Sequence, residues 1–131
     1  MKQFTSQTQK VGKLGEDLVA RYYREKGFEI IEQNYTKKWG EIDIVAQKGD
    51  LLHFIEVKSI AVSNVNDLGV YRPEENVHPK KLERFMRTVE TYLLEKGIGD
   101  EKPWQVDVCA VLIDRGGKTA KIRVVENIIG E

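Results

Sequence analysis

The chain has 131 residues, 40% of them hydrophobic, enough for one core with little left for a second. Lysine plus arginine and aspartate plus glutamate each number 21, so the formal net charge is zero and no overall field draws the chain to a polyanion. The single cysteine, Cys109, excludes an internal disulfide and a zinc-cysteine cluster, and no stretch approaches the roughly 20 apolar residues of a membrane span.

Residues 1–131 are therefore expected to form a single domain, and Met1 to Lys10 lacks the apolar centre of a signal peptide, which predicts a cytoplasmic protein without a membrane partner. From Thr8 to Lys26, Val11, Leu14, Leu18 and Tyr22, with Val19 and Tyr23 beside them, follow helical spacing, and Gly27 is placed to end the helix. Gly12 and Gly15 each cost about 1 kcal/mol relative to alanine inside a helix, so they predict close backbone approach beside Glu16. Asp17, next to it, reads as surface. Phe28 to Tyr35 is a strand leading into a Thr36 to Trp39 turn, where Trp39 is read as a packing residue rather than a base-stacking platform.

Two further strands follow, Gly40 to Gln47 and Leu51 to Lys58. Ser59 to His78 has no clear periodicity and holds Asn64, Asn66, Asp67, Gly69, Arg72 and Pro73, the composition of a long functional loop. Pro79 suits the first turn of a helix whose stripe is Leu82, Phe85, Met86, Val89, Tyr92 and Leu93, ending before Gly97. Its other face crowds Lys80, Lys81, Arg84 and Arg87 into the N-terminal half, where the helix dipole disfavours positive charge and a polyanion would compensate. Trp104 to Ile113 is an apolar strand holding Cys109, read as core, and Asp107, an outside candidate for the site that is kept as structural. After a turn at Arg115 to Lys118, a last strand runs from Lys121 to Glu126.

The chemistry concentrates in the middle hairpin. Alternation places Ile42, Ile44 and Ala46 on one face of its first strand, with Glu41, Asp43 and Val45 on the other, while Glu56 and Lys58 share a side of the second. A two-residue turn at Gly49-Asp50 would pair Lys48 with Leu51, and counting outward sets Asp43 opposite Glu56 and Glu41 opposite Lys58. Opposed Cβ atoms lie about 4.5–5.5 Å apart, and two carboxylates so close repel unless a cation sits between them. Oxygen donors of this kind favour Mg²⁺, with Mn²⁺ as a substitute.

Asp43 followed by Glu56-Val57-Lys58 resembles the PD-(D/E)xK nuclease superfamily, with Ile42 where the proline of the motif usually stands. Gly12-Lys13-Leu14-Gly15-Glu16-Asp17-Leu18-Val19-Ala20, and Asn34-Tyr35 ahead of Gly40-Glu41-Ile42-Asp43-Ile44, narrow this to a resemblance to the YraN-like family, small and poorly characterised proteins assigned to the endonucleases. Ser59-Ile60 departs from the threonine and basic residue of that family's pattern. The resemblance implies an α/β fold with a mixed central sheet flanked by helices in the order αβββαββ, and metal-dependent hydrolysis of DNA phosphodiester bonds, on branched or repair intermediates among other candidates. It implies that Asp43, Glu56 and the Val57 carbonyl hold Mg²⁺ with Glu16 as a third acidic member, and that Lys58 positions water and stabilises charge on the phosphate. Lys80, Lys81, Arg84, Arg87 and Arg72 are the expected DNA contacts, and a two-fold junction substrate would favour a homodimer. The competing expectations are a non-catalytic nucleic-acid-binding module and a protein-interaction domain on the same fold.

Overall fold

The computed structural model describes residues 7–63, 78–115 and 119–129; Arg72 with the rest of 64–77, and 116–118 of the predicted turn, lie outside them. The elements are α1 (Gln7–Glu25), β1 (Glu29–Lys37), β2 (Gly40–Lys48), β3 (Leu51–Val62), α2 (Pro79–Glu95), β4 (Trp104–Asp114) and β5 (Ala120–Val125). This is the predicted order. The strands form one mixed sheet, β1-β2-β3-β4-β5, with β3 and β4 parallel and the other neighbours antiparallel. The architecture is consistent with a restriction-endonuclease-like core.

A helix covers each face, as apolar residues at both even and odd strand positions require. On one face Val19, Ala20 and Tyr23 of α1 pack on Ile44, Ala46, Ile55, Cys109, Val111 and Ile113. On the other, Phe85, Val89 and Tyr92 of α2 pack on Ile42, Val45, Leu52, Phe54 and Val106. Pro79 opens α2 as expected, with the His78 side chain accepting the Lys80 N–H.

Strand ends differ from the sequence expectation where neighbouring strands supply partners. β3 continues through Ser59 to Val62, because β4 pairs with it as far as Val62↔Asp114. β1 likewise continues to Lys37, leaving a turn of Lys38 and Trp39. That turn docks on α2: a Cβ on Gly40 would come 2.7 Å from Thr88 Oγ1, and the Arg87 guanidinium lies 4.4 Å from the Trp39 ring centroid. Trp39 thus packs, as expected.

Of the two helical glycines, Gly15 meets its neighbour closely, since a Cβ there would fall 1.8 Å from Ser59 Oγ. Gly12 has open space around it, and the close approach expected there is not found.

Candidate metal centre

The hairpin register is the expected one at its closed end. Gly49 adopts a φ of 61°, the left-handed region that glycine enters without a Cβ clash, and Lys48 pairs with Leu51, then Gln47 with Leu52, up to Ile44 with Ile55. There the ladder ends. Asp43 with Glu56 and Glu41 with Lys58 are not ladder pairs, contrary to the count from the turn. β3 stays paired with β4, as it is from Leu52 onward, and the Asp43 carboxylate occupies the fork between β2 and β3, accepting the Val57 N–H at 2.7 Å.

The expected faces change at the same level. Ile42 and Ile44 do not share a face: Ile42 packs under α2 with Val45, whereas Ile44 packs under α1 with Ala46. β1 turns with its partner, for Tyr35 opposite Ile42 joins the α2 side and Gln33 opposite Ile44 reaches Glu16 on α1. Between them Asn34 takes a φ of 57°, a conformation asparagine tolerates better than most residues. This paired switch carries Asp43 toward α1, so it does not simply oppose the isoleucines as strict alternation requires.

Asp43 and Glu16, both buried, line a cavity with Val57, Asn34, Gly12 and Ser59. Glu16 Oε1 accepts from Asn34 Nδ2 at 2.7 Å and Gln33 Nε2 at 3.2 Å. Burial raises the Glu16 carboxyl, while Gln33, Lys13 and Asn34 pull it back in part. Asp43 is pushed up to about 8, first by burial and then by the charge of Glu56, with Glu41 and Glu16 adding to it and the Val57 N–H opposing. Its surroundings hold too much negative charge for its own.

Glu56 and Lys58 line the α2 side of the sheet instead, with Lys81, Leu82 and Phe85. Lys81 Nζ lies 2.7 Å from Glu56 Oε1, and this partner holds Lys81 above the usual lysine range despite partial burial. Burial lowers the Lys58 ammonium pKa, and the neighbouring Lys81 lowers it further. The structure therefore groups Glu16, Asp43 and Val57 in one cavity and Glu56, Lys58 and Lys81 in an adjoining groove, with the charge of Glu56 reaching Asp43 between them. Lys80, Arg84 and Arg87 are exposed on α2, lining a shallow surface with Glu83 and Glu90.

Sequence reasoning missed Asn34 and Gln33 as partners of Glu16, because nothing local marks a strand residue that reaches a helix. It also missed a second cluster. Among the described residues, the three imidazole or carboxylate ligand atoms found within 4.8 Å of one another belong to His53, Asp107 and Glu126, not to Glu16, Asp43 and Glu56. The readable signal was parity: His53 shares its strand face with Ile55, and Asp107 shares its face with Cys109, so both point into the packed layer under α1.

Among the described residues no helix is long and apolar enough to cross a membrane. The profile of the Uncharacterised protein family UPF0102 matches residues 15–111. A UPF0102 protein of Campylobacter jejuni is 41% identical over 103 residues, covering 79% of this chain and 84% of that one. One of Wolinella succinogenes is 38% identical over 117 residues, covering 89% and 94%, and one of Campylobacter lari is 36% identical over 114, covering 87% and 88%. The match takes in α1 from Gly15, the forked hairpin and most of β4, and on that evidence the chain belongs to UPF0102, the YraN family.

Proposed function

We propose that this chain is a metal-dependent endonuclease that hydrolyses DNA phosphodiester bonds. The observation that supports it most is the state of Asp43: a nearly sealed carboxyl pushed up to about 8 by burial and by three neighbouring carboxylates, which a divalent cation would relieve. The donors fit a hard cation, since the cavity is lined by the carboxylates of Asp43, Glu16 and Glu41. Asp43, Glu56 and the Val57 carbonyl would hold Mg²⁺, with Mn²⁺ as a substitute, and Glu16 would support it directly or through water. When bound, the ion supplies Lewis acidity and lowers the cost of making hydroxide.

The remaining steps belong to the chain's own groups. Asn34 and Gln33 keep Glu16 turned toward the cavity. Glu56 now pairs with Lys81, and turning to an ion instead would leave the Lys81 ammonium beside Lys58. Lys58 positions the attacking water and stabilises the charge that grows on the phosphate as the bond breaks. Lys80, Lys81, Arg84 and Arg87 of α2, with Arg72, contact the DNA backbone. On a two-fold junction substrate, a homodimer would present two such sites.

One observation favours a second reading, a nucleic-acid-binding module without turnover: Glu56 already has an ion-pair partner in Lys81. A cleavage panel over duplex, single-stranded, flap and four-way-junction DNA, with Mg²⁺, Mn²⁺ or chelator, separates the two. Metal-dependent cutting that fails in Asp43→Asn supports the nuclease. Salt-dependent binding without cutting on every substrate transfers the site to the binding module, and neither leaves a protein-interaction domain.

A further inference from the structure

We propose that His53, Asp107 and Glu126 form a second metal site, one for a divalent transition ion of the Zn²⁺ kind. Their ligand atoms lie within 4.8 Å of one another, and the exposed Glu126 arm would close the set by about 1 Å to the roughly 3.5 Å between ligands of a tetrahedral ion with bonds of about 2.0–2.2 Å. This is not an acidic patch, because one donor is a buried imidazole with the ring edges of Phe28 and Tyr23 against it. An imidazole with two carboxylates suits zinc, copper, nickel or iron better than magnesium, and the two carboxylate charges balance a divalent ion.

Asp107 is prepared as a ligand. It is fully buried, and four hydrogen bonds fix the orientation of its carboxylate. His53 Nδ1 lies 2.7 Å from Oδ2 and the Tyr23 hydroxyl donates to the same oxygen at 3.0 Å, while Gln105 Nε2 and Asn127 N donate to Oδ1 at 2.8 and 3.0 Å. Metal ligands must be deprotonated, and bound carboxylates are commonly oriented by such outer hydrogen bonds. An ion would take the place of the proton shared by His53 Nδ1 and Asp107 Oδ2, while Tyr23, Gln105 and Asn127 would stay as the outer hydrogen bonds that orient the carboxylate.

Glu126 supplies the exposed arm. It follows β5, and the next two residues are tied back to β4 through Asn127 N to Asp107 and Ile128 N to the Val106 carbonyl. His53 and Glu126 both line a cleft with Tyr22, Phe28, Lys48 and Gln105, which gives the ion a route in. A metal here would clamp the start of β3, the middle of β4 and the chain leaving β5.

The site is independent of the reading above. Tyr23 follows Glu16 by two turns of α1, about 10 Å along the axis, and no ligand is shared. The test is calorimetric titration of the full chain with ZnCl₂, alongside Co²⁺ titrations read by visible absorption. We expect one Zn²⁺ equivalent that survives in an Asp43→Asn, Glu56→Gln double variant. Glu126→Gln, a change at an exposed residue that leaves the fold intact, should weaken that affinity about tenfold or more, and His53→Gln should do the same with loss of the Co²⁺ d–d band. Unchanged Zn²⁺ affinity in Glu126→Gln overturns the proposal, as does loss of binding in the double variant. Failure of DNA cleavage in every condition would leave this result standing.

Discussion

Two aspartates lie under α1 and both are buried, yet the protein treats them oppositely. Asp107 has donors on both oxygens and is held ionised. Asp43 has the Val57 N–H, faces Glu56, Glu41 and Glu16, and holds its proton up to about pH 8. Burial is common to both, so burial does not decide the outcome. What decides it is whether the fold supplies donors or other carboxylates, and the first gives a fixed internal anion whereas the second gives a demand for a cation.

The largest effect should come from Lys58. Lys58→Ala is expected to cut the cleavage rate by about 10²–10³, with Mg²⁺ and DNA affinity within a few-fold, since it removes a charge used as the bond breaks. Single-turnover kinetics on a cleavable substrate would check this, and wild-type rates would move the Asp43 end out of catalysis. Glu126→Gln at the Asp107 end should leave the rate unchanged.

Next is Asp107→Leu, which strands four donors and should destabilise the fold by about 3 kcal/mol in urea unfolding at pH 7. For Asp107 the native carboxyl sits below its ordinary 3.8, so its contribution is present above that value and is lost as pH falls through the lower native one. Asp43 should behave in reverse. Its native value of about 8 exceeds its ordinary 3.8, so the metal-free native state binds the extra proton between these limits and loses stability as pH rises through them. Asp43→Asn should therefore stabilise the metal-free protein by several kcal/mol at pH 9, about 1.4 kcal/mol for each pH unit between the two limits, and hardly at all near pH 4. A destabilised variant at pH 9 would erase the contrast.

Metal binding sharpens it further. Loading Asp43 must displace its proton, so Mg²⁺ or Mn²⁺ affinity measured by calorimetry should rise by up to about tenfold per pH unit below pH 8 and then level. Equal affinity in wild type and Asp43→Asn would remove the metal from this end. The smallest effect concerns α2: neutralising Lys80 and Arg84 together should lower the salt slope of duplex binding by about 0.9 for each phosphate that the variant no longer neutralises. An unchanged slope returns them to the ordinary surface.

Periodicity and turn chemistry carried most of the fold. Alternation, helical stripes, Pro79 and the Gly49-Asp50 turn are local features, so all seven elements, and the register at the closed end of the hairpin, could be read from residues near in sequence. Asp43, Glu56 and Lys58 could be named for the same reason. Their grouping could not be read. Strict alternation put Asp43 across from Glu56, but alternation holds only where the backbone stays regularly extended, and at Asp43 the ladder to β3 gives out, Ile42 and Ile44 fall on opposite faces and β1 turns at Asn34. Only the packed structure decided that Asp43 joins Glu16 under α1, that Glu56 meets Lys81 on the other face, and that His53 finds Asp107 and Glu126. Each of those contacts joins residues distant in the chain, and what brings them together is the energy of the whole sheet between two helices, which no short window of sequence contains.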